Sequence, residues 1–323
     1  MARPRIFVTR RLPAAVEAKL SERFDVTINT SDRQLGTEDL REAVRRFDGV
    51  LPTVTDRFSP ETLDVGRSHA RILANYGVGY SHIDIASVAR HGITVTNTPD
   101  VLSECTADLA MTLMLMVARR AGEGEREIRA GAWTGWRPTH LVGTRVSGKT
   151  LGIIGFGRIG QAVAHRARLG FGMEILVYNR SPVSPGTLKT YGATQVESID
   201  ALLPLCDFVS LHCPGGAENR HLIDGRRLDL MRPEAFLINT ARGEVVDEAA
   251  LAQALMFETI GGAALDVFDR EPRINPQLRD CDNLVMLPHL GSATREAREA
   301  MGFRALDNLT DFFAGREPRD KVA

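Results

Sequence analysis

Two separate series of short apolar runs, each run divided from the next by residues of helical periodicity, constrain this chain more than any other feature. In the first series RIFVTR (5–10), DVTIN (25–29), DGVLPT (48–53), RILANY (71–76) and ITVTN (93–97) read as strands, with helices over 13–24, 37–47 and 83–91. In the second, KTLGIIG (149–155), EILVYN (174–179), DFVSLHC (207–213), AFLINT (235–240), GGAALDV (261–267) and NLVMLP (283–288) read as strands, with a helix over 158–169. Strands alternating with helices imply βαβ units and a parallel sheet, and continuous apolar runs suit strands covered on both faces. One long helix is expected over 103–129 and another over 294–315. Asn97-Thr98-Pro99-Asp100 and Pro288-His289 interrupt these patterns and read as hinges. The length of 323 residues suits two domains of about 150 residues each. Residues 100–288 are accordingly expected to form one domain, inserted into a smaller one made of 1–99 plus 289–323.

Composition narrows the partners. Forty basic and 41 acidic residues leave a net charge of -1, which removes the electrostatic basis for a nucleic-acid or membrane-surface partner. Cys105, Cys206, Cys213 and Cys281 form no CxxC pair, so neither a disulfide framework nor a zinc site is expected, and a reducing, cytoplasmic compartment follows. The N-terminal MARPRIFVTRRLP carries charges where a signal peptide needs an apolar stretch. The best apolar run, Leu109 to Ala118, is about half of the ~20 residues that a membrane span requires. It lies between Asp108 and Arg119-Arg120 and reads as a buried helix.

GFGRIG, from Gly155 to Gly160, fits GxGxxG directly after an apolar strand and at the start of an amphipathic helix, the context a dinucleotide site requires. Gly155 permits the tight turn, Gly157 lets backbone approach a pyrophosphate, and Gly160 lets helix and strand pack closely. Arg158 and Ile159 open a helix whose N–H groups and positive dipole end face the phosphates. The fold class is therefore α/β with two Rossmann-like domains of parallel strands, the cofactor domain inserted into the substrate domain. An NAD site usually carries an acid about 20 residues further on, at the end of the next strand. Here Asn179-Arg180-Ser181 stands there. Asn179 cannot repel a 2′-phosphate, and Arg180 with Ser181 can hold one by charge-assisted hydrogen bonds, so NADP(H) is expected to be preferred, with NAD(H) usable.

Three later stretches place a polar residue just after an apolar run: LINTARG ends beyond Arg242, LDVFDREP carries Glu271, and VMLPHLGS carries His289. Loops after strand C-termini form the ligand crevice of an open α/β sheet, so the three are candidates for one site despite their separation in sequence. No HExxH or other dense ligand cluster occurs, and no metal is expected.

These stretches resemble the D-isomer-specific 2-hydroxyacid dehydrogenase family. The likeness runs from NYGVGYSHID (75–84) through TADLAMTLMLMVARR (106–120), GKTLGIIGFGRIG (148–160), HCP (212–214) and NTARGEVVDE (239–248) to ALDVFDREP (264–272) and PHLGSAT (288–294). Within the family the chain is most similar to the glyoxylate/hydroxypyruvate reductases. The resemblance implies hydride transfer between nicotinamide C4 and C2 of a 2-oxo acid. His289 matches the general acid, and imidazoles titrate near working pH. Glu271 matches the partner of that His, and Arg242 the residue that binds the substrate carboxylate and polarises its carbonyl, a task suited to a guanidinium fork. Gly77-Val78-Gly79 resembles the carboxylate cradle, with Val78 and Gly79 as substrate contacts and Val54 to Arg57 on its rim. His212, Cys213 and Pro214 resemble the loop beside the adenosine half. Thr240 and Asp266 resemble residues lining the nicotinamide half, and the resemblance implies further cofactor contacts at Thr106, Ala241, His289 and Gly291. After Pro214 the family often has threonines, where this chain has GGAENRH. Trp133 and Trp136 lie where relatives have a dimer-facing loop, and a homodimer is expected. A reductase of bulkier 2-oxo acids, or a dinucleotide-sensing scaffold of the same fold, are the alternative readings.

Overall fold

The computed structural model describes residues 3–323. The chain forms two compact units, one of the residues up to Leu102 together with Ala293–Ala323, the other Ser103–Ser292. These junctions fall slightly later than 99/100 and 288/289. Val101 and Leu102 still pack on the core of the first unit, and the backbone of 289–291 is held inside the second by Asp266.

In the first unit β1 (Arg5–Val8), β2 (Asp25–Ile28), β3 (Gly49–Leu51), β4 (Ile72–Ala74) and β5 (Thr94–Thr96) form one parallel sheet in the order β2-β1-β3-β4-β5. The strands are shorter than their apolar runs. Pro52 follows β3 directly and has no N–H to continue a ladder. Helices Ala14–Arg23, Thr37–Arg46 and Ile85–Arg90 lie between the strands. A one-turn helix, Pro60–Leu63, was not expected; it starts on a proline and is capped by Ser59, signals too local to stand out in an apolar pattern. The C-terminal helix Arg295–Phe313 buries Met301, Ala305, Leu306 and Leu309 against Ile6, Val8, Val16, Leu20, Leu51 and Ile72, so the end of the chain returns to the first sheet.

Beyond that helix, Val322 donates its N–H to Val95 O at 2.7 Å and Val95 donates to Ala323 O at 2.8 Å, which covers the edge of β5. Asp320 anchors this segment. Its carboxylate accepts from Arg304 Nε at 2.6 Å, Arg304 Nη2 at 2.7 Å and Asn308 Nδ2 at 3.0 Å.

The second unit holds β6 (Thr150–Ile154), β7 (Glu174–Tyr178), β8 (Ala193–Gln195), β9 (Phe208–Leu211), β10 (Phe236–Asn239), β11 (Gly262–Leu265) and β12 (Leu284–Met286). All are parallel, in the order β12-β11-β10-β9-β6-β7-β8. The strand β8 carries no apolar run because it is a partly exposed edge strand paired on one side only. Both faces of the central strands are covered, one by the cluster around Leu202, Leu237, Leu251 and Leu265, the other by that around Ala110, Met114, Val163 and Ile238. Chain order reverses between β6 and β9, where a doubly wound sheet opens a crevice for ligands.

The single helix expected over 103–129 is two helices, Ser103–Ala118 and Ala121–Arg129. The break is tertiary in origin. Thr144 donates its N–H to Ala118 O at 2.7 Å, and Gly143 passes so close to that carbonyl that no Cβ would fit. Arg120 then adopts a left-handed φ of 52° and donates to Glu123 through Nε and Nη2. No helix among the described residues is long and apolar enough to cross a membrane.

Asp320→Ala removes the carboxylate that Arg304 and Asn308 share. It is expected to cost about 2–3 kcal/mol, since Arg304 remains partly hydrated, and to lower the first thermal transition by about 5 °C or more. A shift below about 1 °C by scanning calorimetry contradicts the anchoring role.

Candidate active site

The loop after β6 shows why its glycines are glycines. Gly155 has φ 94°, and a Cβ there would sit 2.6 Å from Cys213 N, on the neighbouring loop after β9. A Cβ on Gly160 would strike Gly155 O, so the helix Arg158–Phe171 can start hard against β6 only without one. At Gly157 the reverse holds: among the described residues, no atom beyond its chain neighbours and its own helix backbone lies within 4 Å of a built Cβ, and none caps the helix with a side chain. The loop is thus tight against protein on one side and open beside a helix N-terminus that no side chain satisfies, which fits a dinucleotide pyrophosphate.

The residues expected at the adenosine end are partly put to structural use. Asn179 Oδ1 accepts the Phe156 N–H at 3.1 Å and Asn179 Nδ2 donates to Ser181 O at 2.9 Å, so this side chain braces the glycine turn. Arg180 and Ser181 are exposed, and Arg180 Nη1 pairs with Glu218 Oε1 at 2.7 Å. His212 is pinned, with Nε2 2.8 Å from Ser210 Oγ and Nδ1 3.5 Å from Thr240 Oγ1. Burial pushes its imidazole down to about 3, so it is neutral, and it joins the loops after β9 and β10. Burial likewise pushes the Cys213 thiol up to about 11. Pro214 is exposed beside them.

Along the same strand ends, the loops after β10, β11 and β12 meet. The turn after β10 is shaped by Asn239, whose Oδ1 accepts the Ala241 N–H at 3.0 Å and whose Nδ2 donates to Arg242 O at 2.9 Å. Sequence reading passed over Asn239, though it opens the NTARG stretch. Arg242 Nη1 donates to Ala241 O at 2.7 Å. Burial lowers the Arg242 pKa, and the charges of Glu271 and Glu244 oppose that shift. The guanidinium stays ionised at any working pH.

His289 follows β12 in a left-handed turn with φ 57°. Its N–H donates to Asp266 O at 2.9 Å, and the Asp266 carboxylate accepts from Leu290 N at 2.6 Å and Gly291 N at 2.8 Å. Burial raises the Asp266 pKa against the pull of those two N–H groups and of His289. Thr106 Oγ1 donates to Gly291 O at 3.1 Å, which ties the same loop to the helix Ser103–Ala118. So held, His289 sets Nδ1 2.8 Å from Glu271 Oε2, while Glu271 Oε1 accepts the Phe268 N–H at 3.0 Å. Burial pushes the Glu271 carboxyl up, but the His289 hydrogen bond and charge, the Phe268 N–H and the charge of Arg242 outweigh it and leave Glu271 below the ordinary carboxylate range. With Nδ1 engaged, Nε2 is the ring nitrogen left to face a ligand. Such an assembly can bind an anion, orient an imidazole and deliver a proton.

In the first unit, the turn after β4 has its carbonyls tied back. Asn75 Nδ2 donates to Gly77 O at 3.0 Å and Gly79 O at 3.1 Å, and Asn97 Nδ2 donates to Val78 O at 2.9 Å. The N–H groups of Val78 and Gly79 donate to no described residue and form a small anion-binding concavity. On the neighbouring loop Asp56, fully buried, accepts from Thr9 Oγ1 at 2.5 Å and Thr53 N at 2.7 Å, which fixes the rim at Val54 to Arg57.

A doubly wound sheet with a dinucleotide cradle at its switch point and an imidazole–carboxylate pair at its strand ends defines a class, the nicotinamide-dependent oxidoreductases. Residues 111–291 match the family described as "D-isomer specific 2-hydroxyacid dehydrogenase, NAD binding domain". A glyoxylate reductase of Thermococcus kodakarensis is 45% identical over 320 residues, 98% of this chain and 95% of that protein. A glycerate dehydrogenase of Hyphomicrobium methylovorum is 37% identical over 317 residues, 98% of each. The solved NADPH-dependent glyoxylate/hydroxypyruvate reductase of Sinorhizobium meliloti, in complex with NADP and malonate, has a TM-score of 0.86 at 34% identity, covering 100% of this chain and 97% of that one. The chain belongs to the D-isomer specific 2-hydroxyacid dehydrogenases.

The Glu271 shift has a consequence for stability. A carboxyl that titrates lower in the fold than its unfolded value of about 4.3 stabilises the fold above that value, and the contribution is lost as pH falls through the folded value. Glu271→Gln is therefore expected to melt below the native chain at pH 7, with the gap closing below about pH 4. A gap that stays constant from pH 7 to about pH 3.5 contradicts the stabilised carboxylate.

Proposed function

We propose that the protein reduces small 2-oxo acids, glyoxylate and hydroxypyruvate foremost, to 2-hydroxy acids and prefers NADPH to NADH. The observation that carries this reading is the His289–Glu271 contact of 2.8 Å at the strand ends, in the same unit as Arg242 and the glycine cradle. The names of the relatives point to the same substrates.

Gly155, Gly157, Arg158, Ile159 and Gly160 would hold a nicotinamide cofactor, which when bound would supply the hydride that reduces the substrate's C2. Arg242 holds the carboxylate and the carbonyl oxygen, drawing electron density from C2. His289 Nε2 gives its proton to that oxygen as negative charge develops. Glu271 fixes the ring through Nδ1 and balances the imidazolium charge. We assign the N–H groups of Val78 and Gly79 to the substrate carboxylate. Thr240 and Asp266 would line the nicotinamide half, Thr106, Ala241 and Gly291 would add cofactor contacts, and His212, Cys213 and Pro214 would lie beside the adenosine half. The preference for NADPH rests on Arg180 and Ser181 standing where an acid would repel a 2′-phosphate.

The protein is further proposed to act in the cytoplasm as a homodimer. The four cysteines are free thiols, as a reducing compartment allows. Ile128, Trp133, Trp136 and Val142 are exposed in one stretch of the second unit, Trp136 by 82%, an apolar surface suited to a second copy.

His289→Ala is expected to lower kcat about 10²- to 10⁴-fold for NADPH-dependent reduction of hydroxypyruvate. Arg242→Ala should raise KM and lower kcat together, because it touches ground state and transition state alike. Native turnover in His289→Ala, or a native KM in Arg242→Ala, removes the respective role. Light scattering is expected to report a dimer that Trp133→Ser/Trp136→Ser shifts toward monomer; a native protein that is monomeric overturns the dimer.

A further inference from the structure

The loops after β7 and β9 flank the glycine loop after β6, because β6 lies between those two strands in the sheet. The Arg180–Glu218 pair joins these flanking loops at 2.7 Å and so spans the front of the cradle at its adenosine end. Glu218 sits in GGAENRH, the stretch where this chain departs from the family's habit, and that stretch is built to hold its course. Gly216 takes φ 108° and donates its N–H to Glu244 Oε1 at 2.6 Å, and Asn219 Nδ2 donates to Pro214 O at 2.9 Å. A Cβ on Gly215 would lie 2.9 Å from Arg242 Cγ, so the loop passes tightly over the arginine turn before it reaches Glu218.

We propose that Glu218 is a specificity-determining residue, a carboxylate that straps Arg180 across the adenosine pocket and competes with the 2′-phosphate of NADPH for that guanidinium. The inference rests on the assignment of Arg180 to the 2′-phosphate. Both partners are exposed, by 72% and 60% of their side chains, so the pair is solvated and easily exchanged. A phosphate offers Arg180 more charge and more acceptor oxygens than a carboxylate, so it can displace Glu218. The displaced carboxylate still lies close to the phosphate and opposes it. Glu218 therefore tempers the NADPH preference that Arg180 creates, and it does so through Arg180.

The test is a double-mutant cycle on the full chain, with Kd for NADPH and NADH measured by nucleotide fluorescence in Glu218→Gln, Arg180→Ala and the double variant. Gln keeps the length and an acceptor oxygen while removing the charge. Glu218→Gln is expected to raise the ratio of Kd for NADH to Kd for NADPH about threefold or more, and most of that gain should vanish in the Arg180→Ala background and at high salt. Arg180→Ala alone should lower the same ratio. An unchanged ratio in Glu218→Gln, or an equal gain with and without Arg180, overturns the strap while leaving Arg180's own role standing. An unchanged ratio in Arg180→Ala overturns the 2′-phosphate assignment itself, and the strap with it.

Discussion

The second unit depends on one carboxylate more than on any other side chain. Asp266, at the end of β11, accepts the N–H groups of Leu290 and Gly291, while its own carbonyl accepts that of His289. Three successive amides after β12 are thereby wrapped around one residue of the adjacent strand end. This clasp supports the positive φ of His289, a conformation that costs an L-residue energy unless its surroundings impose it. The turn in turn delivers the imidazole to Glu271. Loops from separate strands are thus joined to one another by hydrogen bonds through Asp266, Glu271 and Thr106.

A second theme is division of labour among polar side chains. Several residues that a sequence pattern marks as ligand contacts spend their hydrogen bonds on other loops. Asn179 braces the glycine turn, His212 bridges β9 to β10 as a neutral ring, and Thr106 ties a helix to Gly291. These bonds pre-shape the crevice, so that fewer groups have to be ordered when a ligand arrives. The groups left to meet a ligand are the open side of Gly157, Arg242 and Nε2 of His289 in the second unit, and the N–H groups of Val78 and Gly79 in the first.

Most of the architecture was legible because it is local. Every strand but one is an apolar run, the glycine turn follows a strand, and Arg242, Glu271 and His289 each stand just past a strand end. What escaped is non-local. The helix from Ser103 stops at Ala118 because Gly143 and Thr144, far along the chain, cross its last carbonyl. The strand β8 has no apolar signature because one side of it faces solvent. Asn239 was hidden inside a recognised stretch, its task being to shape backbone rather than to touch a ligand. Glu218 carried no signal at all, since only the sheet order brings it to Arg180.

On the proposed function, the strand-end loops form one proton-delivering unit held by Asp266. Single-turnover hydride transfer to hydroxypyruvate, in Asp266→Asn enzyme saturated with NADPH, tests it most directly. Asparagine offers one acceptor oxygen to two N–H donors, so the loop carrying His289 should lose its register. The expected result is hydride transfer slowed about 100-fold or more, as misplacement of a catalytic group by about 1 Å entails, in a protein that keeps its native secondary structure. Transfer at the native rate in the folded variant would contradict the account.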